Sequence, residues 1–273
     1  MKTFTIHGLL HCFNTFQDQN NLKLNSDLNF NSVVSKELWN KKDSIVSDLA
    51  LFNKIHIAIT NDKNELDKWN EKKDFFKYSI DNSIFYLKTV YLFDQKWKSK
   101  IKTIPEHIKE DSKLLKLNDV FGVKGKLFNV DGHNICLVET QNGHILIKEK
   151  HSESSFSDTY LNFSKFNKEI KNLRSFELDL YIPTFKIEDE FSFEINGFEP
   201  FFGLKVTEAK NKNILSFDKD GVFVKSETKV TMTRSISIKK ELLLSDDFEL
   251  AVFENNSVYP SIIARIDKQD LLK

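Results

Sequence analysis

Several groupings in this chain have residue types and spacings that could do chemistry. His7 and His11 lie four apart, one helical face, with Cys12 adjacent. A zinc centre needs a third and a fourth ligand, so core or surface histidines are the simpler reading. Gly122-Val123-Lys124-Gly125-Lys126 has the glycines and lysine of a phosphate loop, but not the four-residue spacing or the Ser/Thr after the lysine. Glu188-Asp189-Glu190 reads as a solvated turn and not as a catalytic acid pair. Asn162-Phe163-Ser164 and Asn255-Asn256-Ser257 fit the glycosylation pattern, which matters only in a secreted chain. There is no Gly-x-Ser-x-Gly elbow. Cys12 and Cys136 are the two cysteines; they could pair or stay free, and they are too few for a disulfide framework. No catalytic residue, metal or cofactor is expected, and the chain is not expected to be an enzyme.

Composition excludes further classes. The 273 residues carry 40 Lys plus Arg against 40 Asp plus Glu. A zero charge sum argues against binding nucleic acid by counterion release and against a polybasic membrane-surface role. No run of 18 apolar residues is present to span a bilayer. With 25 Phe, 8 Gly and 4 Pro, the chain has ample material for a core. Residues 3–13 are apolar in part, but His7 and His11 interrupt them and no small-residue cleavage site follows, so a cleaved leader is not expected.

The elements that must position any site are mixed. Residues 1–60 read as helix and short strand among Asn-rich loops, with Gln17 to Asn31 dense in turn formers. Ile55 to Ile59 is a strand candidate, residues 64–78 look helical, and Ser83 to Phe93 fits a strand buried on both faces. Val120 to Val130 and Ile135 to Thr140 flank Asp131-Gly132, a hairpin signal. Gln141 to His144 then precedes a strand over Ile145 to Ile147, and a helix spans about Phe156 to Leu173. Phe176 to Ile182 alternates as a half-buried strand, limited by Pro183 to an edge or its end. Further strand patterns cover Val206 to Phe217, Val222 to Thr231, Phe248 to Phe253 and Ile262 to Ile266. The expectation is one α+β domain over residues 1–273.

Five segments, in order, resemble the serpin family. Glu65 to Lys72 is similar to the helix across that family's central sheet, and Phe85 to Trp97 to its buried central strand with a closing Lys-Trp pair. Leu178 to Glu188 is close to another family strand, Val206 to Gly221 resembles the strand leading into the reactive-centre loop, and Tyr259 to Ile266 sits where the C-terminal strand belongs. The resemblance implies three β-sheets with surrounding helices and an exposed reactive-centre loop at residues 219–239. It also implies a divergent or reduced N-terminal part, residues 1–60, because the chain is shorter than usual members.

In inhibitory members a serine protease cuts the loop, which then inserts as a strand of the central sheet and carries the acyl-bound protease with it. Such a strand must alternate. Counting from Gly221, Val222, Val224, Ser226, Thr228 and Val230 are uncharged and small or β-branched, whereas Phe223, Lys225, Glu227, Lys229 and Thr231 hold the charge and the one bulky ring. An ordinary surface-facing strand has the same period. By length matching the cleaved bond is Arg234-Ser235. Arg234 in the specificity pocket implies a trypsin-like protease, because that pocket carries a carboxylate; slippage by one places Ser235 there instead.

The resemblance has departures. Where the family usually has Asn in the central strand and His before the loop, the chain has Thr89 and Asn211; Trp97 matches as a packing residue. Lys219 replaces the usual acidic residue two before the glycine, between Asp218 and Asp220. The expected partner is a serine protease and the expected state a monomer, without nucleic acid or membrane. The family resemblance implies an extracellular place of action, with a cytoplasmic one as the alternative. The alternative function is a non-inhibitory, degenerate serpin-fold binding protein, including a viral or parasite modulator.

Overall fold

The computed structural model describes residues 2–23, 35–49, 55–60, 62–71, 86–91, 93–109, 117, 119–150, 154–192, 201, 210–224 and 240–272. In chain order the first elements are β1 (Thr3–Phe4), α1 (His7–Asn20), α2 (Lys36–Asn40), α3 (Lys42–Leu49), β2 (Ile55–Thr60), α4 (Lys63–Glu71), β3 (Tyr86–Tyr91), β4 (Phe93–Lys96) and α5 (Glu106–Lys109). There follow β5 (Val120–Val130), β6 (His133–Thr140), β7 (Gly143–Glu149), α6 (Phe156–Glu169), β8 (Phe176–Pro183) and β9 (Phe185–Ser192). The last are β10 (Lys210–Asp218), β11 (Gly221–Val224), β12 (Lys240–Leu243), β13 (Phe248–Glu254) and β14 (Ile262–Ile266). No described helix is long and apolar enough to cross a membrane.

The chain divides into two compact units. One comprises Met1–Thr5, Leu92–Asp189 and Asn213–Lys273; the other comprises Ile6–Tyr91 and Glu190–Lys212. The first unit holds a large sheet ordered β1-β14-β13-β7-β6-β5-β8-β12. A four-stranded sheet, β4-β11-β10-β9, belongs to it except where β9 and β10 run past the boundary. The second unit contains the β2-β3 pair, with α1 against both strands and against α3.

Local chemistry explains these elements. Asp131 (φ 50°) and Gly132 (φ 81°) both take left-handed backbone, the two-residue turn that matches strand twist between β5 and β6. Helix α6 starts at Ser155, whose Oγ accepts from Asp158 N at 3.2 Å. Its Phe156, Tyr160, Phe163 and Phe166 recur at helical spacing and are buried. Phe4 of β1 lies edge-on to Tyr160 at 6.1 Å. Each such ring adds about 1.5–3 kcal/mol on full burial.

Several expectations change. The helix read over 64–78 is described as α4, Lys63–Glu71; residues 72–85 lie outside the described residues. The turn-rich stretch from Gln17 begins as helix, because α1 keeps Phe13 and Phe16 buried and runs to Asn20. Asn20 Nδ2 donates to Phe16 O, and Asn21 ends the helix at φ 51°. Phe176 to Ile182 is not half-buried: β8, paired on its edges by β5 and β12, is buried continuously from Leu178 to Pro183, so both of its faces are covered there. Leu178 to Glu188 is also two strands, since Pro183-Thr184 breaks it and sends β8 and β9 into different sheets. Gly122 to Lys126 lies inside β5, where Leu137 O stands 3.0 Å from any Cβ added at Gly125.

The acidic triplet is strand, not turn. Asp189 Oδ2 accepts from Lys2 N (2.7 Å), Thr3 N (2.7 Å) and Thr3 Oγ1 (3.0 Å), which fastens β1. Cys12 and Cys136 are free and buried, and burial pushes each thiol up to about 12. His7 and His11 are buried in α1, and burial holds the His11 imidazole below its usual range. No group of metal-ligating side chains is found among the described residues.

Candidate functional site

The site grows from Trp97, directly after β4. Its indole is 6% exposed, and Nε1 donates to Asp218 O at 2.8 Å. The ring centroid lies 5.7 Å from Phe121 of the large sheet and 5.7 Å from Phe217 of the small one. Phe217 stacks on Phe185 at 4.9 Å, and Phe185 meets Phe248 at 6.1 Å. An aromatic array thus joins both sheets beneath the end of β10.

At that end the chain reverses through Lys219-Asp220. Asp218 Oδ1 accepts from Asp220 N (2.7 Å) and Gly221 N (3.1 Å), so an acidic side chain closes the turn. Strand β11 then runs back between β10 and β4, antiparallel to both. Gly221 faces Asp218 and Lys96, Val222 faces Phe217 and Gln95, Phe223 faces Ser216 and Asp94, and Val224 faces Leu215 and Phe93. Gly221 and Val222 are buried, Val222 completely. An open cleft of about 640 Å3 borders the same end, between Asp119, Thr184 to Lys186 and Ser216 to Asp218.

Beyond β11, β10 continues through residues 210–214. Asn211 stands there with its Oδ1 buried and without a hydrogen-bond partner among the described residues. Thr89 lies in β3, paired with Ile57. Ser226, Thr228, Val230, Arg234 and Ser235 fall outside the described residues. At residue 240 the chain enters β12, parallel to β8, with Lys240 beside Leu178 and Leu243 beside Tyr181. Sequence reasoning missed β12 and β1, each too short for a periodic signal.

The arrangement holds both ends of residues 225–239 in strands. One end is central in the small sheet and the other is the last strand of the large sheet. Near Trp97, Lys98 (2.7 Å) and Lys126 (2.8 Å) pair with Glu139 and pull its carboxyl down to about 2. Lys102 pairs with Asp179 of β8 beside β12.

Solved structures share this fold. A serpin from Schistosoma mansoni is similar at a TM-score of 0.60 and 13% identity, covering 97% of this chain and 94% of its own. A serpin from the trematode Schistosoma haematobium gives 0.59 and 12%, covering 97% and 92%. A thyroxine-binding globulin in complex with thyroxine gives 0.52 and 10%, covering 97% and 91%. No family model matches the sequence, and no curated protein matches it. At these identities the likeness is one of fold: the chain has the serpin fold of sheets and surrounding helices.

Proposed function

We propose that this chain inhibits serine endopeptidases as a suicide substrate cleaved at Arg234-Ser235. One observation carries the reading: β11 already lies between β4 and β10, hydrogen-bonded to both, with the loop sequence starting at its end. The protease serine attacks the Arg234 carbonyl and the Ser235 amine leaves, so an ester joins protease and Arg234. Residues 225–234 then extend β11 and withdraw the ester from the solvent-exposed position in which water completes ordinary hydrolysis.

The anchored ends explain why cutting is required. Uncut, β11 can grow only while the remaining residues up to 239 still reach β12. Each added residue carries the strand end about 3.3 Å on and leaves one residue fewer, about 3.5 Å of reach, to span back to β12, so the covalent connection limits growth. A break at Arg234 removes that limit. The uncut form is then a kinetic trap, held by covalent connection and not by greater stability.

Incubation with trypsin tests the proposal. A complex of this chain and protease that survives SDS is expected; cleavage of the loop with full protease activity retained overturns it. The shared fold of a thyroxine-binding globulin favours a second reading, a binding protein without inhibitory action. That reading requires a thermal midpoint unchanged by loop cleavage.

A further inference from the structure

We propose that a cavity under helix α6, remote from β11, binds a small monocarboxylate. The cavity holds about 100 Å3. Lys148 of β7, Glu249 of β13, and Thr159, Phe163 and Phe166 of α6 are its buried walls; His133 and Asn162 are exposed at its rim.

A lysine that is 9% exposed is costly without a counter-charge. Lys148 stands directly opposite Glu249 in the β7-β13 register, and its Nζ donates to Glu249 Oε2 at 3.2 Å. A cross-strand ion pair would account for that much. Glu249, however, is also bound on its other oxygen, where Arg265 Nε donates to Oε1 at 3.0 Å. The Arg265 guanidinium is held there firmly: one terminal nitrogen donates to Ser154 O (2.6 Å) and Thr159 Oγ1 (2.9 Å), and its carbon sits 4.3 Å above the Phe156 ring centre. Among the described residues of this cluster, two cations therefore share one carboxylate. An ammonium has three protons to donate, and Lys148 donates one of them among the described residues, at a long distance. The surplus charge and the free donors border the cavity.

Size and lining choose the ligand. The cavity has the volume of about three liquid waters, too little for a peptide or nucleotide. The Phe163 and Phe166 rings, edge-to-face at 6.0 Å, supply an apolar part of its wall. A single negative charge matches the surplus of one, whereas a dianion such as phosphate would face the Glu249 carboxylate uncompensated. A carboxylate with a short aliphatic body fits these terms.

Saturation-transfer NMR of the full chain, titrated at constant ionic strength, tests this with sodium butyrate, butyramide and inorganic phosphate. Butyrate is expected to bind, with butyramide and phosphate at least about tenfold weaker. Lys148→Met should weaken butyrate by about tenfold to a hundredfold. Asn162→Trp, at an exposed rim position that leaves the ion cluster intact, should block entry and abolish the signal. Absence of butyrate binding overturns the proposal, as does equal binding of butyramide or phosphate. Unchanged affinity in Asn162→Trp also overturns it, and decides the matter if Lys148→Met does not fold.

Discussion

Aspartate in place of Val222 separates a loop that inserts from one that is merely cut. Val222 is wholly buried and paired to Phe217 on one side and Gln95 on the other. Val222→Asp forfeits about 1.5–3 kcal/mol of apolar burial and places a carboxylate where no cation is paired, adding several kcal/mol. Strand β11 is short and continuous with the loop, so it leaves the sheet before the core yields. In the wild type, a cut after Arg234 frees residues 225–234 to follow Val222, with Val224, Ser226, Thr228 and Val230 on its face by alternation. Val230 is the valine of that face not already in β11, and its burial supplies about 2 kcal/mol. At roughly 2–4 °C per kcal/mol for a large domain, the midpoint should rise by about 5 °C. The assay is limited trypsin digestion, checked by mass, followed by scanning calorimetry of cut and uncut protein. Cut wild type should gain this shift and cut Val222→Asp should gain little. No shift in the wild type, or an equal shift in both, would refute the reasoning.

Three further outcomes follow from the geometry. Trp97→Phe removes the indole donor to Asp218 O and opens space beside Phe121 and Phe217, so urea unfolding should show a loss of about 2–4 kcal/mol; an unchanged midpoint would mean the aromatic array does not brace the turn. His144 is stacked on Phe253 at 5.1 Å with Nε2 against Asn167 Oδ1, and burial holds its pKa below the usual 6.5. The unfolded chain therefore takes up a proton first, so the contribution of His144 is full above pH 6.5 and declines as pH falls toward the folded pKa. The stability gap between wild type and His144→Gln should narrow from pH 7 to pH 5, and a constant gap would count against this. Cys12 and Cys136, with thiols pushed up to about 12, should resist a thiol reagent until the chain unfolds.

Strands whose pattern is purely local were legible in the sequence. Asp131-Gly132 announced its hairpin as a turn dipeptide, and β14 needed only the apolar residues Ile262 to Ala264 and Ile266. The alternation from Val222 was legible as a period, but a period does not say what stands on either edge. That β11 lies between β4 and β10 depends on pairing across more than a hundred residues, which one sequence cannot disclose. Asp189 misled because three acidic letters resemble a solvated turn; its partners, Lys2 and Thr3, are at the other end of the chain. The Lys148-Glu249-Arg265 cluster was invisible for the same reason, since β7, β13 and β14 supply one member each. The Pro183-Thr184 break could have been read more strongly, because proline cannot donate to a ladder.

The register of β11 carries a consequence for Asn211. Leu215 stands opposite Val224. Continuing that antiparallel register four residues along each strand brings Thr228 opposite Asn211. Asn211 Oδ1 is a buried acceptor without a partner among the described residues, a state that costs about 1–3 kcal/mol. A threonine hydroxyl is a donor of suitable size. Insertion of the cut loop should therefore satisfy an atom that the uncut chain leaves unbonded, a gain made only in the inserted state. Thr228→Val keeps the shape and the β-branching but removes the donor, so the rise in midpoint on cleavage should shrink by about 1–3 kcal/mol in equivalent stability, while the uncut midpoint stays put. Asn211→Leu removes the acceptor, and in that background Thr228→Val should change the rise little. A double-mutant cycle on the cleavage-induced gain then measures the coupling directly, with about 1 kcal/mol or more expected. Coupling near zero would mean that the inserted strand adopts another register, or that water serves Asn211 in both states.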